Sequence, residues 1–151
     1  MTLILLCLLI GVVAGLRAMM APALAAWGAH CCFAANGWPA FMGYRFTPWI
    51  FSLFALAELV TDQLPSTPSR KVPPQFGARI VMGGLAGATL ASSGGMWIAG
   101  LVAGVIGAVI GTLGGAAARA KLATAFGKDL PAALIEDAVA VIGGIAIILA
   151  V

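Results

Sequence analysis

Six ionisable residues lie within the apolar stretches of this sequence, and their types could carry chemistry: Glu58, Asp62, Glu136, Asp137, Arg17 and Arg119. Glu58 and Asp62 are spaced i,i+4, so a helix presents both on one side. Glu136 and Asp137 are adjacent and therefore point about 100° apart on a helix. The two arginines offset two of the four carboxylates, which leaves two acids for a cation or a proton.

The same six residues are open to three interpretations. They line a path or binding site for an ion or small solute, they form a structural ion-pair network, or two of the acids form a catalytic pair. Because the sequence has no GxSxG, HExxH or Walker motif, we predict that the chain is not an enzyme. If a metal binds, Glu58 and Glu136 are the expected ligands. With His30 as the only histidine and no zinc-type cysteine spacing, no cofactor is expected.

The composition indicates that these residues lie in a membrane protein. The chain has 151 residues, of which 62% are hydrophobic and 9% charged, whereas a soluble domain carries about 25% charged residues. Such a chain cannot cover a water-facing surface, but it can cover a lipid-facing one. The net charge of +3 is scattered, without a stripe of Lys and Arg, so we expect the lipid bilayer as partner and no nucleic acid.

Apolar stretches and turn residues predict an all-α polytopic membrane protein of about five transmembrane helices. The first stretch lacks the basic start of a signal peptide and is interpreted as a retained helix. Residues 28–47 combine glycine and proline with Trp and Tyr, which favour the membrane–water boundary, so we predict a loop with an interfacial or re-entrant piece. The predicted spans cover residues 2–27, 48–64, 77–91, 96–120 and 129–151, with a polar loop at 65–74.

The predicted spans contain an inverted repeat. The first span reads IGxxxGxR at residues 10–17, and the fourth reads IGxxxGxxxR at residues 110–119. The second and fifth share Ala-Leu-x-Glu, ending at Glu58 and Glu136. Three crossings separate each pair, so two helix-pair repeats, at 1–64 and 96–151, would have opposite topology and be joined by helix 77–91. The sites of inverted-repeat transporters lie near the bilayer midplane at the repeat interface.

Small residues and a proline are predicted to set the helix packing. Pro22 follows Arg17 by five residues inside the first predicted span and predicts a helix kink beside the charge. Asp129 is predicted to cap the fifth span. Small residues on one face let helices approach closely, or form the seam of a homodimer. We assign helix packing to Gly11, Gly15, Gly100, Gly104, Gly107, Gly111 and Gly115.

The basic residues predict an orientation. With five spans, the N-terminus, the 65–76 loop and the 119–128 segment share one side of the membrane. Arg45 is the basic residue of the other side. The positive-inside rule then places the N-terminus in the cytoplasm and the C-terminus outside. The basic residues of the predicted cytoplasmic side are Arg70, Lys71, Arg79, Arg119, Lys121 and Lys128.

An ordered set of motifs runs along nearly the whole chain: Gly15-Leu16-Arg17 with Pro22, Glu58-x-x-x-Asp62 with Pro65 and Pro68, a glycine-rich span ending at Arg119, and Glu136-Asp137. The set resembles the bacterial membrane family called domain of unknown function 4126. The chain departs from the family pattern at Gln63, where the family has a lysine. The resemblance implies a small multi-span protein of the bacterial inner (cytoplasmic) membrane with these charged positions as its hallmark, and it implies no activity.

These observations together predict a small transporter or channel for a cation or a proton-coupled small solute. Glu58 and Glu136 would be the central carboxylates, Asp62 and Asp137 would assist them, and the arginines would be counter-charges. A five-span protomer is small to enclose a path alone, which predicts a homodimer. The alternative is a non-transporting membrane scaffold or lipid-interacting factor in which the acids and arginines pair completely.

Overall fold

A computed structural model describes residues 1–62 and 72–151, and the chain is helical throughout these two ranges apart from short connections. Residues 63–71, which include Gln63, Arg70, Lys71 and most of the predicted 65–74 loop, lie outside the described residues. The elements in chain order are α1 (Thr2–Leu16), α2 (Met20–Cys31), a short 3-10 helix (Trp38–Gly43), α3 (Thr47–Thr61), α4 (Pro73–Ser92), α5 (Trp97–Phe126) and α6 (Asp129–Leu149).

The second to fifth predicted spans correspond to α3, α4, α5 and α6. Helix α4 starts at Pro73, where a missing N–H costs no hydrogen bond. Helix α5 ends at Phe126, and Gly127 follows it with a φ of 67°, the left-handed conformation common after a helix. The N-cap position of α6 is Lys128, without a side-chain capping hydrogen bond, and Asp129 is the first residue of the helix rather than its predicted cap. By length and composition, α5 and α6 could cross a membrane.

The first predicted span is two helices rather than one. Helix α1 ends at Leu16, and Arg17 is extended, with φ −138° and ψ 111°. Val13 of α1 and Leu24 of α2 both lie against Gly144 of α6, so the chain has folded back between them. Proline is tolerated in a first helical turn, and Pro22 lies in the first turn of α2. The kink predicted at Pro22 is therefore replaced by a reversal at residues 17–19.

Contacts between α6 and the first two helices give their directions. Gly28 of α2 touches Ile148, four residues beyond Gly144, so α2 runs parallel to α6. Arg17 at the end of α1 contacts Asp137, which precedes Gly144, so α1 runs antiparallel to α6. Helices α1 and α2 therefore form an antiparallel hairpin.

The remaining helices continue the alternation. The Nε1 atom of Trp27 donates to the Ser52 Oγ at 2.9 Å, while the start of α2 meets Glu58, so α2 and α3 are antiparallel. In the α4–α5 hairpin, Gly87 lies against Gly100 and Gly83 lies against Gly104. The six α-helices of residues 1–62 and 72–151 therefore form an up-and-down bundle, in which two helices occupy the place of the first predicted span.

The bundle has two chemically different ends. The charged end contains the 17–19 reversal, the end of α3, the start of α4 and the α5–α6 turn. The aromatic end contains the first residue of α1, the 32–46 and 93–96 connections and the last residues of α6. Because residues 1 and 151 share the aromatic end, the prediction that they lie on opposite sides of a membrane does not fit the fold.

Helices α1, α4 and α5 pack with almost no space between their backbones. A methyl group added at Gly11 would overlap the carbonyl oxygen of Gly104, and one added at Gly107 would overlap that of Leu8. A methyl group added at Gly15 would overlap the backbone nitrogen of Thr112. The residues of the predicted glycine set that are in backbone contact with a neighbouring helix are Gly11, Gly15, Gly100, Gly104, Gly107 and Gly111, and Gly115 is buried on the same helix.

The direction of these contacts bears on the predicted repeat. Leu8 meets Gly107 and Gly15 meets Thr112, so α1 and α5 run parallel. An inverted repeat requires its two copies to run in opposite directions. The IGxxxG motifs shared by these helices therefore form one packed seam, and they are not the two halves of an inverted repeat.

Candidate functional site

Two charged residues from distant helices cap the reversal between α1 and α2. The Glu58 carboxylate of α3 accepts hydrogen bonds from the backbone N–H groups of Ala18 and Met19, each at 2.8 Å. The Arg79 Nη1 atom of α4 donates to the carbonyl oxygens of Gly15 at 2.8 Å and Leu16 at 2.7 Å. A carboxylate therefore meets the start of one helix and a guanidinium meets the end of another, as both helix dipoles favour.

The side chain of Arg17 leaves the same reversal and joins α3 to α6. It has no exposed surface, its Nε atom donates to Asp137 Oδ1 at 2.6 Å, and its Nη1 and Nη2 atoms form ion pairs with Asp62 and Asp137 respectively. The Arg79 Nη2 atom is 3.9 Å from both Glu58 Oε1 and Asp62 Oδ2. Five charged side chains thus form one connected group, the reversal cluster: Arg17, Glu58, Asp62, Arg79 and Asp137.

The charges within the reversal cluster do not balance. Three carboxylates meet two guanidinium groups, so the described members of this cluster carry one more formal negative charge than positive. A mostly buried carboxylate is expensive to leave charged without compensation.

A cavity of about 350 Å³ adjoins the cluster between α3 and α4. Glu58, Asp62, Thr61 and Gln75 supply its polar lining, and Phe54 is among its apolar lining residues. The Glu58 and Asp62 side chains are 13% and 12% exposed. The two acids of α3 are therefore reachable from the cavity while the Arg17 guanidinium behind them is not.

A second ion-pair group lies farther toward the charged end of the bundle. The Arg119 guanidinium donates to Asp129 through Nε to Oδ1 at 2.9 Å and through Nη2 to Oδ2 at 2.5 Å. Its Nη1 atom is 3.6 Å from Glu136 Oε2. Asp129 is 61% exposed and Glu136 only 6%. This group joins α5 to α6 at Asp129 and Glu136.

The six predicted site residues thus divide between two groups. The reversal cluster contains four of them: Arg17, with Asp62 and Asp137 as its direct partners, and Glu58. The second group contains Arg119 and Glu136. The central position predicted for Glu58 and Glu136 is held instead by Asp62 and Asp137, which share Arg17. Among the described residues, no three His, Cys, Asp or Glu side chains are grouped to hold a metal ion.

Sequence reasoning missed Arg79 and the pairing of Asp129. Arg79 was counted only as a basic residue that sets orientation, yet it is 1% exposed. A signal was present, because Gly-x-Arg-x-x-Met occurs at residues 15–20 and again at 77–82. Both arginines of this pattern belong to the reversal cluster.

Comparisons with family models, with curated proteins and with solved structures gave no match. The resemblance to domain of unknown function 4126 therefore stays a prediction.

Proposed function

We propose that the chain is a polytopic membrane protein. Large apolar side chains are exposed along the two longest helices, as lipid contact requires and water does not favour. On α5 they include Val102, Ile106 and Ile110, and on α6 they include Val139 and Ile142.

The two ends of the bundle fit the two faces of a bilayer. Trp38 packs edge-on against Trp97 at 5.8 Å, and Trp27 against Trp49 at 5.2 Å, so the four tryptophans gather toward the aromatic end. Tryptophan is enriched at membrane interfaces, and Lys and Arg are enriched on the cytoplasmic face. The charged end, with Lys121 and Lys128, would therefore face the cytoplasm.

Within this membrane protein, we propose transport of a small monovalent cation or a proton through the Glu58–Asp62 side of the reversal cluster. The observation that carries this proposal is the excess of one carboxylate over the guanidinium groups among the described members of the reversal cluster, beside a cavity that Glu58 and Asp62 line. A monovalent cation or a proton neutralises one excess carboxylate, whereas an anion would add to the imbalance. Carboxylate oxygens and the Thr61 hydroxyl are suitable partners for either species.

A second candidate function is a non-transporting scaffold whose charges only hold the helices together. It is favoured by the Glu58 carboxylate, both oxygens of which accept backbone N–H groups of α2. In this alternative the excess charge would be neutralised by a permanently bound proton.

Purified protein in liposomes distinguishes the two candidates. Flux of H⁺, Na⁺ and K⁺ would be measured for the wild type, for Asp62→Asn and for the control Asp129→Asn, whose carboxylate lies outside the cavity. Transport predicts flux in the wild type and control and at least a tenfold loss in Asp62→Asn. A wild type that is folded yet no leakier than empty liposomes would refute transport and support the scaffold.

The predicted homodimer is a separate proposal. Light scattering of the detergent-solubilised protein would give the mass of its protein component. The mass of a single protomer would contradict the homodimer.

A further inference from the structure

Cys31 and Cys32 lie side by side at the end of α2, far from the reversal cluster. Cys31 is the last residue of the helix and Cys32 is its C-cap. Their Sγ atoms are in contact, and both residues are exposed and not joined in a disulfide. The hydrogen bond with Cys31 raises the pKa of the Cys32 thiol. The pair is therefore two adjacent and accessible sulfur ligands.

The backbone makes a disulfide a poor outcome for this pair. Adjacent Cα atoms are about 3.8 Å apart across a trans peptide, whereas disulfide-linked Cα atoms are usually at least 4.4 Å apart. A disulfide between neighbours would therefore be strained and readily reduced. The dithiol form is the one that the fold favours.

The number and placement of the sulfurs restrict the ligand. Structural zinc sites need four ligands, and no group of three His, Cys, Asp or Glu side chains suited to a metal occurs within residues 1–62 and 72–151. Soft two-coordinate ions such as Cu(I) favour sulfurs on opposite sides of the metal, which would hold the sulfurs farther apart than the contacting Sγ atoms of Cys31 and Cys32. A pyramidal trivalent arsenic centre with one organic substituent needs two neighbouring sulfurs.

We propose that Cys31 and Cys32 form a bidentate site for trivalent arsenicals of the type R–As=O. Two As–S bonds form, the As=O bond breaks, and the two thiol protons leave with the oxygen as water. The arsenic stays trivalent, so the step requires neither oxidant nor reductant. This site is independent of cation transport, because it lies at the opposite end of α2 from Glu58.

The test uses phenylarsine oxide on the detergent-solubilised full chain after reduction with a phosphine. We expect intact mass spectrometry after gel filtration to show one phenylarsenic adduct per chain. The adduct should protect both exposed thiols from N-ethylmaleimide, and a competing small dithiol should remove the arsenical. Cys31→Ser and Cys32→Ser should each lose the adduct at least tenfold, because one sulfur cannot chelate. The control Cys7→Ser removes the buried thiol and should keep the full adduct.

Two results would contradict the arsenical site. Full adduct retention in Cys31→Ser or Cys32→Ser would overturn the proposal, because binding would then not need the pair. A wild type in which both thiols react with N-ethylmaleimide but no arsenical is retained would overturn it as well. Since Cys→Ser changes little in size and both sites are exposed, gel filtration of each variant confirms that it is folded.

Discussion

The Nε atom of Arg17 donates to the Asp137 carboxylate at 2.6 Å, which ties the reversal between the first two helices to a residue 120 positions later in the chain. The same guanidinium pairs with Asp62 on α3. One buried side chain thus connects the 17–19 reversal with α3 and α6. The hairpin is consequently a product of tertiary contacts, and removing them should affect the whole bundle.

Arg17→Met is therefore predicted to be strongly destabilising. It leaves Asp62 and Asp137 without their shared cation, and removing one partner of a buried ion pair costs about 3–5 kcal/mol. Thermal unfolding of the detergent-solubilised protein would show the loss. Arg45→Met is the matched control, because Arg45 is exposed at the aromatic end and should change stability by less than about 0.5 kcal/mol.

Removing the acids together with the arginine should restore part of that loss. The triple variant Arg17→Met, Asp62→Asn, Asp137→Asn leaves no uncompensated charge among these three residues. Replacing all members of a buried ion pair by uncharged side chains often changes the free energy of unfolding little. If the triple variant were no more stable than Arg17→Met alone, the ion pairs would not be the cause of the single variant's defect.

Glu58→Gln is predicted to loosen the start of α2. The amide keeps one acceptor oxygen for the two N–H groups of Ala18 and Met19 and presents an NH₂ group to the other, which costs about 1–3 kcal/mol. Hydrogen exchange should accelerate at residues 18–23. Ser52→Ala, which removes a hydrogen bond near the other end of α3, should leave exchange at these residues unchanged. Equal exchange in Glu58→Gln and the wild type would show that the cap is dispensable.

The contrast between α3–α6 and the first hairpin shows what could be predicted from sequence. Helices α3 to α6 are bounded by prolines, glycines or polar loops that act locally, so their existence and approximate ends were predictable. The α1–α2 reversal has no glycine or proline at residues 17–19, and its caps come from Glu58 and Arg79, 39 to 64 positions away. Continuous hydrophobicity from residue 2 to 27 therefore concealed a turn that only distant charges stabilise.

The same contrast explains the partial success with the site. Acidic residues inside apolar stretches were recognisable without a fold, as were Arg17 and Arg119. Which charge meets which depends on helix direction, and one missed reversal changes the direction of every helix relative to the first. An interpretation with five spans could therefore not predict that Asp62 and Asp137 both pair with Arg17.

The six-helix topology predicts that residues 2 and 151 are accessible from the same side of the membrane. In a variant with all three native cysteines replaced by serine, Thr2→Cys and Val151→Cys should react with an impermeant maleimide in vesicles of one orientation. Lys128→Cys should react only in vesicles of the opposite orientation. The five-span alternative instead groups Thr2→Cys with Lys128→Cys, so labelling of that pair together would refute the hairpin.

The packed seam predicts opposite effects for two glycines on one helix. A Cβ atom at Gly104 would overlap the carbonyl oxygen of Gly83, whereas one at Gly114 has no atom within 4 Å. The backbone cannot move aside as a side chain can, so Gly104→Ala should lower the free energy of unfolding by about 1–3 kcal/mol. Gly114→Ala should be neutral or stabilise it by up to about 1 kcal/mol, because alanine favours the helix. Unfolding midpoints measured in the same detergent would compare them directly. Equal tolerance of both substitutions would mean that α5 does not approach α4 at backbone contact.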